Sequence, residues 1–125
     1  MSKPSYVNFN VSKELIEEAF GILLDAKKIE AGTNLTTKNV ECGDAKLVYI
    51  AEDVDPPEVV AHLPSLCGKM KIPYILVPSK TELGKICGKE HPCASACIVD
   101  IGKAYERYEK IKEKLDKIPK RKYPL

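Results

Sequence analysis

Leu47-Val48-Tyr49-Ile50-Ala51, running directly into Glu52-Asp53-Val54-Asp55-Pro56-Pro57-Glu58, is the stretch that decides the fold. Five consecutive apolar residues have the length of a strand and offer no polar face, so the strand must be covered on both sides. The acidic, proline-containing residues after it read as a helix start, with Asp55 as cap, proline in the first turn and Glu58 three residues after the cap. That helix should turn Val59, Val60, Leu63, Leu66, Cys67 and Met70 inward. Outward from this unit the alternation recurs. Residues 73–77 and 94–100 are further buried strands, and 28–30 is a short extended stretch. A helix capped by Ser12 and running to about residue 27 should bury Leu15, Ile16, Ala19, Phe20, Leu23 and Leu24. A second helix begins after Gly32-Thr33-Asn34 and ends near Gly43. Ser79-Lys80-Thr81-Glu82 is a capping box for a short helix that stops near Gly88. A charged helix covers 103–117. Apolar strands alternating with helices give an α/β fold, a three-layer α-β-α sandwich around a small mixed sheet in a single domain.

Composition narrows the function classes. The 125 residues are 44% apolar and 30% charged, with a net charge of +2. No run reaches the roughly 18 apolar residues of a membrane span. The N-terminal Met1-Ser2-Lys3-Pro4 carries no secretory pattern, so a cytoplasmic protein is expected, without membrane partners. Charge is uneven: from Lys103 to Leu125 there are nine Lys/Arg against four Asp/Glu, a net of +5, and the rest of the chain is at −3. Binding to a polyanion must therefore rest on a local patch. The basic segment 118–125 either adds sequence-blind attraction to phosphates or is a flexible, solvated end of a domain whose core spans 6–117.

Three groups of residues could carry chemistry. Asn34 and Lys38 lie four apart and share one helix face, with Asn34 in the first turn, where free N–H groups favour phosphates or base edges. The alternative is that Thr33 or Asn34 merely caps the helix and Lys38 is a solvated charge. Glu52, Asp53 and Asp55 come after a buried strand, where α/β proteins place ligands, and could bind Mg²⁺ or serve as acid and base. Asp55, however, is explained as a helix cap, and no neighbouring His or Lys completes a catalytic set. Cys87, His91, Cys93 and Cys97 invite zinc. Yet Cys93 and Cys97 along a strand stand about 13 Å apart, whereas a shared zinc needs sulfurs within about 4 Å. An odd count of five cysteines and irregular spacing favour reduced core thiols, with no metal and no cofactor. His62 reads as a packed or half-exposed helix residue. No phosphate loop, dinucleotide fingerprint or nucleophile elbow is present, and no enzyme is expected.

Taken together, Gly32-Thr33-Asn34-Leu35-Thr36-Thr37-Lys38-Asn39-Val40-Glu41, the segment from Ala45 to Glu58 and His62-Leu63-Pro64-Ser65-Leu66-Cys67 resemble the L-seven-Ae family of ribosomal and kink-turn RNA-binding proteins, in its archaeal form. Ile72-Pro73-Tyr74, Pro78-Ser79-Lys80, Leu83-Gly84 and Pro92-Cys93-Ala94-Ser95-Ala96 continue the likeness, which covers about residues 6 to 100. The resemblance implies recognition of structured RNA holding a kink-turn or kink-loop, alongside ribosomal and guide-RNP proteins, by a chain that is a monomer away from RNA. It further implies that Asn34 and Lys38 contact the guanines of sheared G·A pairs, that Gly32 lets backbone approach RNA, and that Lys80 lies near phosphate. Val59 would pack beside a flipped-out nucleotide, and Lys89, Glu90 and His91 would occupy a specificity loop.

The departures from the family pattern are equally specific. Leu35 stands where the family usually has an accepting Glu, Ala31 where a basic residue precedes the glycine, Cys42 in place of an Arg, and Lys89 in place of an aliphatic residue. Losing a charged acceptor opposite a buried donor costs roughly 1–3 kcal/mol. The expectation is a family fold with weakened or retuned RNA specificity.

Overall fold

The computed structural model describes residues 13–116; Ser12, the expected first cap, and the basic segment 118–125 lie outside them. In chain order the elements are α1 (Lys13–Asp25), β1 (Lys28–Ala31), α2 (Thr33–Glu41), β2 (Leu47–Ala51), α3 (His62–Met70), β3 (Tyr74–Val77), α4 (Lys80–Ile86), β4 (Ser95–Asp100) and α5 (Tyr105–Asp116). Short 3-10 turns at Pro57–Val59 and Gly102–Ala104 precede α3 and α5. The four strands form one sheet in the order β1-β4-β2-β3, antiparallel except for the β2–β3 pair. The expected mixed sheet and α/β class are what the chain adopts.

All five residues of β2 are buried, and alternate side chains serve opposite layers. Leu47, Tyr49 and Ala51 pack in one cluster with Phe20, Leu23, Leu83 and Ile111 from α1, α4 and α5. Val48 and Ile50 pack in the other with Val40, Leu63 and Cys67 from α2 and α3. The apolar run is thus shared between two half-cores, which is why it has no polar face. Tyr49 is fully buried, stacks on Phe20 with 6.3 Å between ring centroids, and donates its hydroxyl to the Ala19 carbonyl. On the outer face α1 and α5 run antiparallel, linked by the exposed pairs Arg107–Asp25 and Lys114–Glu18. Such pairs stabilise little; the apolar stripe beneath them decides the packing.

Several local expectations are corrected. Asp55 does not cap α3: it precedes a cis bond to Pro56, a 3-10 turn comes next, and α3 starts only at His62 after an uncapped Ala61. The reason is the second proline, since Pro57 disfavours helical geometry at Pro56. The shift leaves Val59 (43% exposed) and Met70 (36%) outside the core, while Val60, Leu63 and Cys67 are buried as expected. In α1 the register differs by one position at the end, so Ile22 is buried and Leu24 is 65% exposed. The Ser79 cap is as expected, its Oγ accepting from the Glu82 amide at 3.1 Å.

Replacing Tyr49 by Phe should lower the free energy of unfolding by about 1 kcal/mol, the usual worth of one buried hydrogen bond. A urea denaturation curve with an unshifted midpoint would contradict that role.

Candidate functional site

The topology gathers the C-terminal ends of β1, β2 and β3 with the start of β4, and main-chain bonds lace them together. The Gly32 amide donates to the Ser95 carbonyl at 2.8 Å, Ala51 to Ala94 at 2.9 Å, and Glu52 to Val77 at 2.8 Å. Asp53 Oδ1 accepts from the Lys80 amide at 2.8 Å, and the Cys93 amide donates to the Lys80 carbonyl at 3.0 Å. Residues far apart in sequence, 31–35, 51–53, 77–80 and 89–95, therefore share one rim of the sheet. Of the site residues expected from the sequence, Ala31, Gly32, Asn34, Leu35, Lys80, Lys89, Glu90 and His91 lie in these segments, Lys38 lies one turn further along α2, and Val59 lies in the Pro57–Val59 turn.

Gly32 ends β1 and opens α2 at φ 107° and ψ 146°, a conformation that side chains other than hydrogen disfavour. No side chain caps α2. Thr33 Oγ1 is hydrogen-bonded instead to the buried Ser95 hydroxyl at 3.1 Å, and Asn34 is exposed with no hydrogen bond to any described residue. The reading of Thr33 or Asn34 as a cap is thus corrected. The first helical bond runs from the Thr36 amide to the Gly32 carbonyl, so the amides before it have no helical acceptor. Asn34, Leu35, Lys38 and Cys42 all lie on the exposed face of α2, while Thr36 and Val40 are buried beneath. Ala31, half-buried, is the last residue of β1 and pairs with Ala96. Leu35 is 46% exposed, so the departure at this position places an apolar side chain in solvent beside Asn34.

The loop between α4 and β4 carries Lys89, Glu90 and His91, all exposed. Its path is fixed from below. The Lys89 amide donates to the Gly84 carbonyl at 2.9 Å, and Gly88 turns the chain at φ 78°. A methyl group on buried Gly84 would overlap the His91 carbonyl oxygen and stand 3.2 Å from Pro92 Cα. His91 Nδ1 lies 3.2 Å from the Pro92 carbonyl. Lys80, half-buried, begins α4 beside this loop.

Sequence reasoning missed two supports. Asp53, not Asp55, is the structural carboxylate of its cluster, holding the Lys80 backbone; nothing in the sequence separates the two. Gly84 was legible only as part of the resemblance, although a glycine inside a helix is itself a signal of close backbone approach. His62 is exposed, its Nε2 2.8 Å from Thr37 Oγ1, and joins α3 to α2. Among the described residues no group of three His, Cys, Asp or Glu could hold a metal ion, and no helix is long and apolar enough to cross a membrane. Cys67, Cys93 and Cys97 are buried, Cys87 is half-buried and Cys42 is exposed. Burial pushes the Cys87 and Cys97 thiols up to about 11, so both stay protonated at neutral pH.

Two substitutions should separate backbone roles on this rim. Gly84→Ala should destabilise the fold by about 1–3 kcal/mol, as overpacking does, and shift the amide resonances of 89–91. Gly32→Ala should cost a similar amount for its backbone conformation alone. A thermal melt matching the unaltered protein in either case would refute the corresponding claim.

A model of the Ribosomal protein L7Ae/L30e/S12e/Gadd45 family matches residues 14–107. Among solved structures, the chain is similar to one described as the Giardia lamblia 15.5kD RNA binding protein, at 32% identity and a TM-score of 0.81, covering 92% of this chain and 98% of that one. The match spans every element from α1 to the start of α5. The chain belongs to the Ribosomal protein L7Ae/L30e/S12e/Gadd45 family.

Proposed function

We propose that the protein binds structured RNA containing a kink-turn or kink-loop and stabilises its bent conformer. It would do so in the large ribosomal subunit and in guide RNPs of the box C/D and H/ACA type, and in RNase P. The observation that carries this reading is the uncapped start of α2: free amides, an unengaged Asn34 and Lys38 one turn further on, all beside Gly32. An amide side chain and an ammonium on one exposed helix face suit the edges of unpaired or sheared purines. Lys80 and Lys89 border the same rim and supply phosphate attraction, while exposed Val59 offers an apolar seat for an extruded base. Similarity to an RNA-binding protein supports the class of ligand. The protein acts by shifting a conformational equilibrium of the RNA, so any chemistry belongs to its partners.

A second reading has a specific observation in its favour. Leu35 projects into solvent where a carboxylate acceptor is expected, and Cys42 replaces a cation on the same face. A diverged paralogue with altered RNA specificity, or one serving mainly as a protein scaffold, would tolerate both.

Gel-shift titration at fixed salt decides between them. Asn34→Ala should weaken binding to a standard kink-turn by roughly 5- to 150-fold, the loss of about 1–3 kcal/mol of base recognition. Binding no tighter than to a straight duplex would overturn the first reading. Leu35→Glu with Cys42→Arg should raise kink-turn affinity if that RNA is the target; no gain favours the diverged paralogue.

A further inference from the structure

At the far end of the sheet, about 20 Å from the Gly32 rim along β4, lies a cleft of about 550 Å³ lined by Lys46, Val99, Ile101, Tyr105, Tyr108 and Lys112. We propose that this cleft is a second binding site, for a nucleoside phosphate, with the base stacked on Tyr105 and the phosphate held at Lys46 and Lys112. The ligand chemistry is the same whether the nucleotide is free or is an unpaired residue of an RNA strand.

Size and wall composition both support this. The volume falls within the roughly 300–1,000 Å³ of small-ligand sites. Tyr105 is 57% exposed, a large flat apolar surface left in solvent. Its ring is not loose: it lies 5.9 Å from the Tyr108 ring at 52°. A ring packed against a neighbour loses less freedom on stacking than one free in solvent. Of the two acids in the lining, Asp100 Oδ1 accepts from the Gly102 amide at 3.0 Å. Lys112 Nζ stands 5.9 Å from the Tyr108 centroid, and neither Lys46 nor Lys112 pairs with a carboxylate among the described residues. Exposed aromatic faces beside free cations are the pairing that single-stranded nucleic-acid sites use. An acidic peptide would satisfy the lysines but would leave the Tyr105 face without a flat partner. The site stands independently of the kink-turn reading, since it shares no residue with the Gly32 rim.

The test is amide-shift mapping on the full chain with four probes: adenosine 5′-monophosphate, hexa-adenylate RNA, inorganic phosphate and an acidic peptide of glutamates. The nucleotide should move the amides of Lys46, Gly102, Tyr105 and Lys112 while those of Gly32 and Asn34 stay still. Tyr105→Ala should weaken binding about tenfold, the lower part of the range for one base on one ring, Tyr105→Phe should bind within a few-fold of the unaltered chain, and Lys46→Ala with Lys112→Ala should abolish the shifts. Tighter binding of hexa-adenylate than of the mononucleotide at this cleft identifies an RNA strand as the source; equal or weaker binding identifies a free nucleotide. The proposal is overturned if these amides do not move, if Tyr105→Ala binds as well as the unaltered chain, or if phosphate or the peptide moves them as strongly as the nucleotide does.

Discussion

Everything at the Gly32 rim depends on one strand being bonded on both edges and buried on both faces. β2 lies between β4 and β3, with Val48 opposite Cys97 on one side and Tyr74 on the other. Its side chains are divided between two cores, so neither helical layer can slide without losing contacts with the same five residues. That constraint fixes where β2 and β3 end, and hence where the loops after them emerge. The backbone bonds from Gly32, Ala51, Glu52 and Cys93 then set those loops relative to one another. A ligand meeting them faces a surface that is already organised, and little ordering cost remains at the moment of contact.

Much of the fold was legible because its strands are short and uniformly apolar. Leu47–Ala51 has the same limits in the structure as in the sequence reading, since five buried residues leave no ambiguity about the face or length. The errors fell where local chemistry competes. Asp55-Pro56-Pro57 carries the residues of a capping box, but the second proline disfavours helical geometry at Pro56, the position where the helix would have to begin. Leu24 and Ile22 both fit a helical period, and only tertiary packing decides that Ile22 is covered and Leu24 is not. The edge strand β1, half-buried and only four residues long, carries little signal of its own.

The site was legible as a set of residues and not as a surface. Spacing placed Asn34 and Lys38 on one helix face, yet capping offered an equally good account of Asn34. The choice depended on Ser95, 62 residues beyond Thr33, which engages the Thr33 hydroxyl while Gly32 takes the cap position with no side chain to offer. Such a contact has no local trace. The same holds for Asp53 and Lys80, and for the cleft at the opposite end, whose walls come from the C-terminal end of β4, the residue before β2 and the first two turns of α5.

The contact between Gly84 and the His91 backbone separates two properties of a loop that usually vary together. The main chain there is held closely against Gly84, while Lys89, Glu90 and His91 are exposed. Letters in this segment can therefore drift at small cost to the fold, whereas insertions and deletions meet immediate resistance. Such a bracket lets a few outward residues be exchanged while the scaffold beneath them stays unaltered.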